Sequence, residues 1–193
     1  SLYNFVLFMN CNQLQRKLLK ANKVNYNLLS SNIRPTTHLQ CIGDFIELSL
    51  EDPEKKIMID MNDECQMDIA KTAVKEILQQ IDLIFRQNHT ELVWHEGSFR
   101  DFHIGLDQQI KMVETCRNAE LEEVITSPRN RKLQVTRLRI KRYFQRLSDF
   151  LKNKKYSLCA WEIVQIQLKH ITLYDPNFQK QLHYLLGLIV IKI

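Results

Sequence analysis

Four glycines and four prolines among 193 residues constrain this chain more than any other feature. Average proteins carry about 7% glycine and 5% proline. Sandwiches of short strands, dinucleotide-binding folds and P-loop enzymes all need many tight turns or glycine-rich loops. A chain this poor in both residues excludes them. It is also too apolar for a disordered polymer: 45% of its residues are hydrophobic. The length suits one domain that can bury a core without metals. An all-α protein with few turns is the expected class.

Apolar residues recur at helical spacing in five segments, about 12–31, 66–87, 93–117, 132–153 and 158–173. The second is the strongest, with Ile69, Ala73, Val74, Ile77, Ile81, Ile84 and Phe85 on one stripe. Residues 32–64 hold Pro35, Gly43 and Pro53 and lack helical periodicity. Ser157 is placed to cap the fifth helix, and Asp175-Pro176 ends it. No repeat, low-complexity tract or linker divides the chain.

Loop lengths then set the directions. A first connection of roughly thirty residues can cross a whole bundle, whereas those near 88–93 and 154–157 force antiparallel neighbours. Helices one and two run up, three down, four up and five down. The five cysteines fit two long-range disulfides with one left over. Cys11–Cys41 would have to span a helix of about 30 Å, against the roughly 7 Å between Cα atoms that a disulfide allows. Cys116–Cys159 fails likewise. Cys11–Cys116 and Cys41–Cys159 survive, with Cys65 a competitor for the lower bridge.

Charge is unevenly spread. The formal net charge is +5, yet residues 129–155 hold eleven Lys or Arg and one acid, Asp149. Such a stripe suits nucleic acid, an acidic partner or an anionic glycan. The sequon Asn88-His89-Thr90 follows a helix end, where a glycan would meet solvent. Residues 2–9 are apolar and aromatic and read as a signal remnant or an N-terminal extension. The expected domain is 11–175. Residues 176–193 form a C-terminal tail whose apolar run, YLLGLIVIKI, is too short to span a bilayer.

Residues 142–164 read RYFQRLSDFLKNKKYSLCAWEIV. This segment closely resembles the helix D to helix E region of type I interferons, whose signature is YSxCAWE. Cys41 followed by Asp44-Phe45 is similar to the family's first-loop Cys-Leu…Asp-Phe segment, and Trp94-His95-Glu96 resembles its start of helix C. The resemblance covers about 11–173 and is weak over 46–66. Residues 104–109, IGLDQQ, and the opening Cys11-Asn12 resemble the kappa branch, although the loop at 118–131 is shorter than in that branch.

The resemblance implies a five-helix cytokine bundle with an up-up-down-down four-helix core and a long first crossover loop. It implies a secreted, monomeric ligand that bridges two receptor chains, triggers antiviral and antiproliferative signalling, and uses no cofactor or metal. The family's two disulfides agree with the pairing that topology leaves. Its tight receptor chain is gripped by the first loop and an exposed face of the fifth helix. By position these are Ile42, Gln165, Ile166, Lys169 and His170, with Ile166 the expected anchor. Gln165 stands where the family commonly has Arg, and the loop lacks a basic residue usual between Cys41 and Asp44. Lys141 matches a basic position on helix four that resembles a contact with the weaker receptor chain. Trp161 and Tyr156 belong to the signature but are expected to pack in the core or at a cap.

Rival classes have less support. Paired Glu-x-x-His motifs of di-iron bundles are absent, and His95-Glu96 has no second His four residues on, as a zinc protease needs. An enzyme is therefore not expected. A basic helical nucleic-acid-binding protein is the stronger rival, but Tyr143 and Phe144 fall at core positions, leaving no stacking platform. Neither nucleic acid nor membrane insertion is expected.

Overall fold

The computed structural model describes residues 11–33, 41–49, 66–115 and 128–171. The expected signal remnant or extension at 1–10, the tail at 176–193, and Cys65 and Cys116 lie outside them. Six helices and no strand occur among the described residues: α1 (Cys11–Ser31), α2 (Ile42–Ser49), α3 (Gln66–Phe85), α4 (Glu96–Thr115), α5 (Pro128–Asn153) and α6 (Leu158–Ile171). Five match the periodic segments to within a few residues. The sixth, α2, corrects the reading of 32–64 as aperiodic. Two turns are too short for a 3.6-residue period to register over neighbouring loop residues.

Named contacts fix the directions. Asn25 in the C-terminal part of α1 donates from Nδ2 to the Phe102 carbonyl near the start of α4, 3.1 Å, so this pair is antiparallel. Lys75–Glu114 at 2.8 Å and Asp82–His103 at 2.7 Å make α3 and α4 antiparallel as well. Lys141 lies 4.0 Å from Glu76, and Gln87 donates to Ser148 at 2.9 Å. Both positions advance together, so α5 runs parallel to α3. The turn at 154–157 folds α6 back on α5. Taken without α5, the helices run up, up, down, down.

Helix ends carry local signals. His95 accepts at Nδ1 from the Gly97 amide, and its carbonyl accepts from Phe99, opening α4. Ser157 accepts at Oγ from the Ala160 amide and caps α6 as expected. Between α5 and α6, Lys155 and Tyr156 sit at φ 52° and 55°, and the Tyr156 amide reaches the Leu151 carbonyl at 2.7 Å. That six-to-one bond closes α5 in the Schellman manner without glycine.

One apolar core joins α1, α3, α4, α5 and α6. Its aromatic centre lies where α3 ends and α6 begins. Phe85 stacks on Trp161, with centroids 5.8 Å apart, and meets Phe102 edge-on at 4.9 Å. Trp161 is fully buried, and its indole N–H donates to the Asn88 carbonyl at 3.1 Å. Tyr143 and Phe144 are buried in the same core, at the positions their spacing predicts. Burial holds the Tyr143 phenol well above its usual pKa.

Candidate functional site

α6, 14 residues long and following the turn at 154–157, is unusually enclosed. Trp161, Glu162, Ile163, Val164, Gln165, Gln167 and Leu168 of α6 are all buried. Beyond half-buried Leu158 and Cys159 in its first turn, its described open face narrows to half-buried Ile166 and Lys169, three residues apart on one side. Lys169 is partly occupied: its Nζ lies 5.5 Å from the centroid of the Tyr26 ring on α1.

Gln165 corrects the expected surface. It is 1% exposed, and its Oε1 accepts from the Trp94 indole N–H at 2.7 Å. Its Nε2 donates to the Trp161 carbonyl at 3.3 Å. Four residues after Trp161 and three before Leu168, it shares their inward stripe. It supplies a partner for the half-buried Trp94 indole. The spacing carried this signal, and alignment with an exposed family position obscured it. Of His170 only the helical backbone is described.

A second short helix completes the surface. Cys41 lies just before α2, and its carbonyl accepts the first helical bond, from Phe45 at 2.9 Å. Its sulfur is bonded to Cys159, the second residue of α6, with Cα atoms 5.3 Å apart. Across α2, Phe45 and Leu48 pack on the core, while Ile42 and Ile46 stand 56% and 55% exposed. Ile46 was not among the expected contact residues. Its signal was present in the i, i+4 pair with Ile42 flanking the inward Phe45, once the segment is taken as helical.

Electrostatics fasten the same corner. Lys154 in the hairpin turn lies 2.9 Å from Asp44 and 2.7 Å from Glu47. The hydrogen bonds it donates to Glu47 and then Asp44 hold its pKa above the ordinary lysine value. α2 packs against α6. A disulfide, two ion pairs and two inward side chains thus hold the exposed Ile42–Ile46 pair beside the helix of Ile166 and Lys169.

Lys141 belongs elsewhere. It is exposed on the flank of α5 that faces α3, at the Glu76 carboxylate. Asn88 is exposed in the turn after α3, where its Oδ1 accepts from both the amide and the hydroxyl of Thr90, 3.2 and 2.8 Å. No group of three or more His, Cys, Asp or Glu that could hold a metal ion occurs among the described residues. None of the described helices is long and apolar enough to cross a membrane. The surface is one of apolar contact and fixed charge, suited to recognising another protein.

Comparison with known proteins agrees. The interferon alpha/beta domain model matches residues 14–182. The chain is 31% identical to interferon tau-1 of Ovis aries over 169 residues, covering 88% of this chain and 82% of the relative. Interferon tau-5 of Ovis aries is 32% identical over 174 residues, 90% and 84%. Interferon kappa of Homo sapiens is 31% identical over 182 residues, 89% and 84%.

Proposed function

We propose, from the premise that this chain belongs to the type I interferon family, that it signals by bridging two cell-surface receptor chains outside the cell. The family consists of cytokines of antiviral signalling, not enzymes. In this proposal the protein acts as a secreted monomer with antiproliferative as well as antiviral effect, and separate faces meet the two receptor chains.

The observation that carries it is the corner where α2 is bolted to α6. Ile42, Ile46 and Ile166 offer apolar area, with charge from Asp44 and Glu47 on α2, Lys154 in the turn and Lys169 on α6. An apolar centre inside a polar rim is the usual arrangement of a binding hot spot. His170 stays in the proposed face by its position on α6. Gln165 contributes indirectly, by holding Trp94 behind the face. Lys141, on the α3 side of α5, is the proposed contact for the weaker receptor chain. A Cys11–Cys116 bridge and a glycan on Asn88 complete the proposal for an oxidising, secretory setting. Buried Tyr143 and Phe144 leave the nucleic-acid reading without an aromatic platform.

The test is a cell-based interferon-response reporter, using receptor-bearing cells of the matching species and purified folded protein. A dose-dependent response is expected. Ile166→Ala should weaken receptor binding by about 1–2 kcal/mol. A silent reporter with folded protein would sink the function. A full response with binding losses scattered over α4, and none at Ile166 or Ile42, would move the site.

A further inference from the structure

The proposed face draws on α2 and α6, and α1 borders it. Asn25 of α1 points at α4, where it donates to the Phe102 carbonyl. The next residue, Tyr26, is turned about 100° further round the helix, toward α6, which also packs against α1. Asn22 and Leu29, four residues before and three after Tyr26, are buried, and Tyr26 is half-buried between them. Its ring is therefore seated. The Lys169 ammonium lies over that ring, 5.5 Å from the centroid.

This contact changes what Lys169 can do. A lysine on a helix surface swings on a four-carbon stem and loses that freedom when a partner fixes it. A cation over an aromatic face is attracted by the ring quadrupole, so part of the ordering is complete before a partner arrives. The ring itself is neutral. The α2 side of the face is built differently: there two carboxylates, Asp44 and Glu47, meet the ammonium of Lys154. The α2 side thus carries an acidic excess, and the α1 edge carries a held ammonium. A partner with the opposite order of charges is favoured in one orientation.

We infer, building on the reading that α2 and α6 meet the tighter receptor chain, that Tyr26 is a positioning residue for receptor recognition: it holds the Lys169 ammonium where that chain presents a carboxylate. Tyr26 acts through its ring and through Lys169. Phenylalanine at this position keeps the ring, whereas leucine keeps apolar bulk without the quadrupole. Arginine at 169 keeps the charge and stacks on an aromatic face, whereas methionine keeps a long stem without charge.

The experiment measures binding kinetics of the full chain on the immobilised ectodomain of that receptor chain, at salt from about 0.05 to 0.5 M. Lys169→Met should lose roughly five- to tenfold in affinity and flatten the salt dependence of association, and Lys169→Arg should stay within about twofold. Tyr26→Leu should lose roughly two- to fivefold, and Tyr26→Phe less than about twofold. In the Lys169→Met background, Tyr26→Leu should lose less than about 1.5-fold more, because the cation it holds is gone. Lys169→Glu should lose at least about tenfold, and one acid-to-lysine change on the receptor surface should restore most of that loss. Equal loss from Tyr26→Leu in both backgrounds would make its role purely structural and overturn the assignment. So would a Tyr26→Phe variant as weak as Tyr26→Leu, or a receptor scan in which no acid-to-lysine change restores Lys169→Glu. Ile166→Ala is the control for the face itself. If it weakens binding while Lys169→Met and Tyr26→Leu do not, Tyr26 and Lys169 lose their role and the face stands. If none of the three weakens binding, the face falls and their role with it.

Discussion

Cutting the Cys41–Cys159 bridge should separate signalling from folding. The bridge joins positions 118 residues apart, and the chain-entropy model gives it about 4.9 kcal/mol at 25 °C. Its local effect is larger than that share. Holding nine residues, 41–49, in one backbone conformation costs about 1–2 kcal/mol each. An isolated helix of two turns is far below the length that is stable in water. Without the bridge, α2 keeps two ion pairs of Lys154, which are solvent-screened and weak. It also keeps Phe45 and Leu48, which are only half-buried and so contribute about 1–1.5 kcal/mol apiece. These terms do not offset the ordering cost. In the double variant Cys41→Ser, Cys159→Ser, α2 should undock while the five long helices persist. The receptor would then have to order α2 on binding, which lowers affinity. Reporter assays should show most of the signalling lost, with helical circular dichroism largely kept. Hydrogen exchange should show the amides of 42–49 unprotected. Cys11→Ser, Cys116→Ser should impair signalling less, because α1 begins at the far end of the bundle. Protected α2 amides in the first variant, or a more impaired second variant with both folded, would refute the reasoning.

Three further outcomes are expected. Expression in a secretory host should add glycan mass at Asn88, removable by glycosidase and absent from Thr90→Ala. A Cβ at Gly105 would collide with Asn25 Oδ1, so Gly105→Ala should carry an overpacking cost of about 1–3 kcal/mol. In an Asn25→Ala background that clash is gone, and the same change should stabilise by about 0.5–1 kcal/mol through helix propensity. Denaturant titration of the four proteins would show the sign reversal. Tyr143 is held neutral by burial, with its folded pKa raised above that of the unfolded chain. Its stabilising contribution is therefore complete below pH about 10 and lost above it, at up to roughly 1.4 kcal/mol per pH unit. Tyr143→Phe should flatten the alkaline limb of stability against pH, and an unchanged limb would contradict the assignment.

The long helices were legible because each buries one face and shows water the other. That asymmetry writes a period into α3 that loop residues cannot mimic. The direction of each helix followed from connection length, and the upper disulfide from the distance a helix imposes. The proposed face was legible only in part, and the reason lies in α6. This helix is enclosed on nearly every side, so its apolar residues run together as Ile163-Val164 and its amides at 165 and 167 are buried with them. Periodicity cannot distinguish the faces of such a helix. A glutamine among them reads as solvent-facing, although here it satisfies the Trp94 indole. The exception is informative. Ile166 and Lys169 are the described residues that a partner could reach along the buried run, so a helix serving first as the core's centre leaves a partner a narrow strip. Such a strip is too small for a stable interface by itself. A docked neighbour has to widen it, and α2 does so with Ile42 and Ile46. The sequence shows this role of α2 only through Cys41, because a two-turn helix held mainly by a distant cysteine carries little pattern of its own.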